Sequence, residues 1–117
     1  MTTQEIANRL VDLCRRGDYE TVYNELFHPE AEAVEPPQSP MPDVRGVGAI
    51  REKGRQFNEM TQEVHDGYVS DPLVAGNFIT LTMGMDVTYK DGNREKMDEV
   101  VVYEVKEGKI VKEQFFY

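Results

Sequence analysis

Phe78-Ile79-Thr80-Leu81-Thr82-Met83-Gly84-Met85-Asp86-Val87-Thr88-Tyr89 alternates apolar and polar residues without a break. Ile79, Leu81, Met83, Met85 and Val87 fall on one side, and Thr80, Thr82, Gly84, Asp86 and Thr88 on the other. That is the pattern of a strand with one buried and one polar face. An inner face defined here can be carried to the segments that follow, because side chains alternate strictly and a slip of one residue would turn every one of them over.

Two further strands are predicted, Glu95 to Lys106 and Lys109 to Tyr117, each joined to its predecessor by a tight turn. A three-residue loop Asp91-Gly92-Asn93 sets Val87 opposite Met97, Met85 opposite Glu99, Met83 opposite Val101 and Leu81 opposite Tyr103. At the last turn, a two-residue loop would demand positive φ of Glu107 as well as Gly108, and glutamate is a poor residue for that. The expected loop is therefore Lys106-Glu107-Gly108, pairing Tyr103 with Val111, Val101 with Glu113, Glu99 with Phe115 and Met97 with Tyr117. On this register Glu99, Tyr103 and Glu113 face inward. Val100, Val102 and Phe116 face outward as an apolar patch on a surface that should be wet, which predicts a homodimer through the outer face of the sheet.

Upstream the periodicity changes from two to helical. Thr2 or Thr3 caps a first helix whose Ile6, Leu10, Leu13 and Cys14 recur on one side, and Gly17 stops it. Asp18 caps a second, with Val22, Leu26 and Phe27 as its stripe and Pro29 as its end. A short strand, Ala31 to Glu35, precedes a stiff loop, Pro36 to Arg45, that holds four prolines. A third helix runs from about Val47 to Thr61 with Ile50, Phe57 and Met60 on one side. Another strand, Glu63 to Val69, leads into the segment quoted at the outset.

The 117 residues are one domain, with a single core and no repeat. Twenty-two acidic against 13 basic side chains give a net charge of −9, and no basic cluster appears, so neither nucleic acid nor an anionic membrane surface is an expected partner. The apolar runs are short, and Met1 to Ile6 lacks the plan of a signal peptide. Cys14 is the only cysteine, so a reducing cytoplasmic setting is expected. Two distant histidines make no zinc spacing, and neither metal nor cofactor is expected.

Helices first, sheet last, with specific carriers along the chain, resembles the nuclear transport factor 2-like (cystatin-like) superfamily, and within it the SnoaL-like proteins. The carriers are Gly17-Asp18-Tyr19, Leu26-Phe27 with Ala31 and Glu35-Pro36, Arg45-Gly46 with Ala49-Ile50, and Val105 with Gly108-Lys109-Ile110. The resemblance spans nearly all of residues 1–117. It implies an α+β fold in which three N-terminal helices pack in the concave face of a curved antiparallel sheet, forming a cone with a pocket for a small, mostly apolar or aromatic molecule. It also implies chemistry of cyclase, isomerase or dehydratase type in some members and plain binding in others. Ketosteroid isomerase, in the same superfamily, carries its carboxylate base where Glu35-Pro36 stands here. Its two oxyanion donors fall near Leu10 and Val101, which cannot donate, so steroid isomerisation is not expected.

Glu35 is thus a candidate base, or a solvated residue opening a proline loop. Glu99 and Glu113 are candidates to share a proton or hold a ligand, or else meet water at the mouth. Tyr103, between them, is a candidate hydrogen-bond donor to a ligand. Met83, Met85, Val101, Phe115 and Tyr117 would line the pocket, the methionines serving equally well as core. His65 joins the lining only if its strand turns it inward, a facing that Val64, Asp66 and Tyr68 contest. Cys14 reads as core.

Overall fold

A computed structural model describes residues Met1–Tyr117. Helix α1 spans Thr3–Arg15 and opens on a reciprocal capping box: the Glu5 amide donates to Thr2 Oγ1 at 3.1 Å and the Thr2 amide to Glu5 Oε1 at 2.8 Å. Its buried stripe is Ile6, Ala7, Leu10, Val11, Leu13 and Cys14, and Gly17, at φ 72°, turns the chain out of it. Asp18 caps α2, Tyr19–Thr21, which widens into a π-helical turn over Val22–Leu26. The predicted second helix is therefore shorter than expected.

Strand β1, Phe27–Val34, begins before the proline meant to separate it from the helix. Pro29 is tolerated because the ladder is irregular between Phe27 and Glu32, so no amide is needed there, and the Glu30 amide donates instead to His28 Nδ1 at 2.9 Å. The proline loop holds a two-residue strand, β2, Val44–Arg45, paired to β1. Helix α3 covers Val47–Met60 and buries Ile50, with Phe57 half-buried, whereas Met60 is exposed. Strands β3, Thr61–Val69, β4, Leu73–Ala75, β5, Phe78–Tyr89, β6, Arg94–Lys106, and β7, Lys109–Phe116, complete the chain.

The sheet runs β2-β1-β7-β6-β5-β3, with β4 also on β5. It is mixed rather than wholly antiparallel, because β1 lies parallel to β7 while every other pair is antiparallel. The helices fill its concave side. Ile6, Leu10 and Leu13 of α1 and Ile50 of α3 share one buried cluster with Ile79, Leu81, Val101, Tyr103, Val105 and Ile110.

Both hairpin registers differ from the expected ones, and both preserve the inner face. In the first, Met85 pairs with Met97, Met83 with Glu99, Leu81 with Val101 and Ile79 with Tyr103, a slide of two residues. The loop is Lys90-Asp91-Gly92, closed by the Tyr89 amide on the Asn93 carbonyl at 2.8 Å, since Gly92 is the residue at positive φ and must come last. In the second, Glu107 does adopt positive φ (51°) beside Gly108 (76°), giving the two-residue turn judged unfavourable. That turn alone would point Lys112 inward. A bulge corrects it: Val105 pairs with Ile110 but Glu104 with Lys112, leaving Val111 as the extra residue, and Tyr103 then meets Glu113 and Val101 meets Phe115.

Candidate active site

Three carboxyls reach the concave interior from three strands. Glu35 follows the end of β1, Glu99 lies on β6 opposite Met83, and Glu113 lies on β7 opposite Tyr103. Helix α3 brings a fourth charge. Lys53 sits one turn from Ile50 and from Phe57, on the helix face turned to the sheet, and its Nζ lies 2.5 Å from Glu35 Oε1. The Lys53 and Glu35 side chains are only 14% and 7% exposed, so this is a buried ion pair. Lys53 Nζ also stands 5.7 Å from the Phe115 ring centroid, a cation–π contact. The other oxygen of Glu35 accepts a hydrogen bond from the Tyr117 hydroxyl at 2.7 Å. Tyr117 is held in turn by the proline loop, through Ser39 Oγ at 2.7 Å and the Gln38 side-chain amide on its carbonyl at 2.8 Å.

Glu113 is 8% exposed and takes no hydrogen bond from the protein, yet its oxygens are not sealed off from accessible space. Burial pushes its carboxyl up to about 8, against the opposing charge of Lys53 and with Glu35 and Glu99 adding to the rise. Burial likewise pushes Glu99 up to about 7, helped by Glu35 and opposed by Lys53. The Tyr103 hydroxyl, buried between β5 and β7, is held well above its ordinary range by burial and then by Glu113, so it remains a neutral donor. Tyr23 is raised by the same two causes in the same order. Cys14 is pushed up to about 12 by burial and by Glu113, which leaves it a protonated thiol and a poor nucleophile.

The remaining predicted site residues divide. Met83 and Met85 are half-buried on the inner face, Val101 is fully buried between Leu81 and Phe115, and Phe115 carries Lys53. His65 does not join them. A register shift between Val64 and Asp66 turns it to the convex side, where Nε2 lies 2.7 Å from Thr88 Oγ1, so the uncertain facing resolves outward. Two surface clefts, of about 520 and 280 Å³, open outside the cone beside His28, Lys106 and Val111 and include none of the predicted site residues. No group of three or more acidic, histidine or cysteine side chains is arranged to hold a metal.

The sequence reading missed Lys53, Tyr19 and Tyr23. Lys53 was findable from its spacing to Ile50 and Phe57, but a lysine is ordinarily placed in water.

A curved sheet wrapped on three helices with its polar groups inside is the nuclear transport factor 2-like cone. The chain shares it with an NTF2-like protein from Burkholderia thailandensis, at TM-score 0.85 and 20% identity over 99% of this chain and 90% of that one. It also shares it with TerC crystallised with polyporic acid, at TM-score 0.75 and 17% identity over 98% of this chain and 90% of that one. Within that fold the chain belongs to the SnoaL-like domain family, which matches residues 1–117. A Mesorhizobium loti protein described as a candidate SnoaL-like polyketide cyclase, with carbohydrate phosphatase in the same description, superposes at TM-score 0.92 with 37% identity over all of both chains. Curated protein sequences yield no match.

Proposed function

We propose that the protein binds a small, largely apolar molecule within the cone and moves a proton on it, in a cyclisation, isomerisation or dehydration. The observation that carries this reading is the gathering of Glu35, Glu99, Glu113 and Tyr103 on one inner face, with Glu99 titrating near neutral pH. A general base works best with its pKa near the operating pH and with a free lone pair. Glu35 has both oxygens engaged by Lys53 and Tyr117, so the role first expected of it passes to Glu99. Glu35 then orients the substrate together with Lys53, and the neutral Tyr103 hydroxyl donates to the oxygen that gains charge as the proton leaves. Met83, Met85, Phe115 and Tyr117 form the apolar wall. The descriptions of the Mesorhizobium loti relative and of TerC support a small organic ligand. The free, buried thiol of Cys14 supports a cytoplasmic setting.

A thermal-shift screen of aromatic polyketides, steroids and small keto acids identifies a ligand class, and Glu99→Gln then tests the role. Binding retained with turnover lowered about 100-fold or more is the expected result. Full turnover by Glu99→Gln would end the assignment.

A second reading, binding without catalysis, is favoured by one observation. Leu10 and Val101, at the positions where the isomerase has its oxyanion donors, are 1% and 0% exposed and belong to the packed core.

A further inference from the structure

We infer that the inner face of the cone is a site for a small organic cation, a protonated amine on an apolar body, seated between the Glu99 and Glu113 carboxyls beside the Tyr103 ring. The inference rests on the binding reading above and names the chemical class of its ligand.

The charge count comes first. Glu35, Glu99 and Glu113 face inward against one cation, Lys53, and Lys53 is already bonded to Glu35. Glu99 and Glu113 are left without a hydrogen-bond partner in the protein, and Glu113 is more than nine-tenths buried. A carboxyl in that position must keep a proton or meet a positive charge. When the interior is empty it keeps the proton.

The interior also shows how it accommodates an ammonium. Lys53 is held by one carboxylate and lies over one aromatic ring, Phe115. Two further carboxyls, Glu99 and Glu113, stand beside it without a partner, and Glu113 lies directly across from Tyr103. The groups near enough to Glu113 to be coupled to it are Lys53 of α3, Glu35 after β1, Glu99 and Tyr103 of β6, Cys14 of α1, Tyr19 of α2, which is 38% exposed, and Tyr23 of the π-helical turn, whose ring already lies under the Arg51 guanidinium at 5.8 Å. All but Lys53 are acids or neutral rings. An ammonium against a carboxylate gains charge-assisted hydrogen bonding and pairing, and the net charge of −9 enriches cations near the protein.

The exchange balances: Glu113 releases its proton to water, and the ligand's ammonium takes the place of that proton beside the carboxylate. Binding should therefore release a proton and strengthen with pH while Glu113 is still protonated in the free protein. The slope approaches about tenfold in Kd per pH unit below the carboxyl's pKa.

The test is calorimetric titration of the intact protein with phenethylamine, phenethyl alcohol and acetophenone, across about pH 6 to 8 and in two buffers of different ionisation enthalpy. Expected are amine binding with proton uptake by the buffer, a Kd falling several-fold per pH unit, and weaker binding of both neutral probes. Glu113→Gln, checked as folded by circular dichroism, should lose most of the amine affinity and the part of the pH slope above about pH 7, leaving only the contribution of Glu99 below it. If the neutral probes bind and the amine does not, or if amine binding is independent of pH or unchanged in Glu113→Gln, the cation assignment is overturned while a small-molecule pocket stands. If none of the three binds, the cation assignment and the pocket for molecules of this size fall together.

Discussion

At the residue scale, Glu113 sets a pH dependence of stability. A carboxyl whose folded pKa lies above its unfolded value favours the folded protein only in its protonated form. The Glu113 contribution is therefore complete below about 4.5 and lost as pH rises to about 8, because in that window the folded state binds more protons than the unfolded one. Folding stability should fall by on the order of a few kcal/mol between about pH 5 and pH 8, lowering the melting temperature with it, and Glu113→Gln should flatten the curve and raise stability at the alkaline end. A melting series in buffers of matched ionic strength would show it, and parallel wild-type and mutant curves would contradict it. Lys53 makes a complementary case. Lys53→Met strands the Glu35 carboxylate in a buried site and should cost about 3–5 kcal/mol in urea unfolding, while adding Glu35→Gln should return most of it. A double mutant no more stable than Lys53→Met would mean the pair is not the source of the loss.

At the element scale, the fold was largely legible because β5 alternates so cleanly and α1 carries its own cap. What escaped was turn detail: that the first loop is Lys90-Asp91-Gly92 rather than Asp91-Gly92-Asn93, and that Glu107 tolerates positive φ. The inner face was nonetheless assigned correctly, since a slide of two residues leaves every side chain on its own side. The bulge at Val111 does the same for the last hairpin, where the two-residue turn is offset by one extra residue. Deleting Val111 should accordingly leave Glu113 facing Tyr103 and the protein folded, whereas deleting Gln114 would exchange the facing of Phe115 and Phe116 and should give little native near-UV signal. Equal tolerance of both deletions would contradict this register. Lys53 was hidden for another reason, as hydropathy places a lysine outside and only the facing of α3 against Glu35 brings it in. Gly84 is a further device. A Cβ there would come 2.7 Å from the Met97 carbonyl and would run into the Tyr68 ring, which lies over the glycine and whose hydroxyl donates to Asp98 at 2.7 Å. The ring can swing away and the backbone cannot. Gly84→Ala should cost about 1–3 kcal/mol by chemical denaturation, and a neutral result would show that the strands can part locally.

At the scale of the whole molecule, the sheet has one face filled by helices and one left open. Across the open face Val100, Phe116 and Leu73 are 40%, 48% and 72% exposed, with Val102 half-buried among them. We propose that a second copy of the chain covers this strip: Val102→Glu should then shift sedimentation toward the monomer, and an unchanged sedimentation coefficient would count against this face. The closed face has a practical side. Its one thiol, Cys14, is buried and close enough to Glu113 to feel its charge. The natural chain thus has a built-in chemical reporter. A thiol-reactive dye can label it only when α1 parts from the sheet, so labelling kinetics measure how often the interior opens, and a bound ligand should be visible as protection of a single native atom.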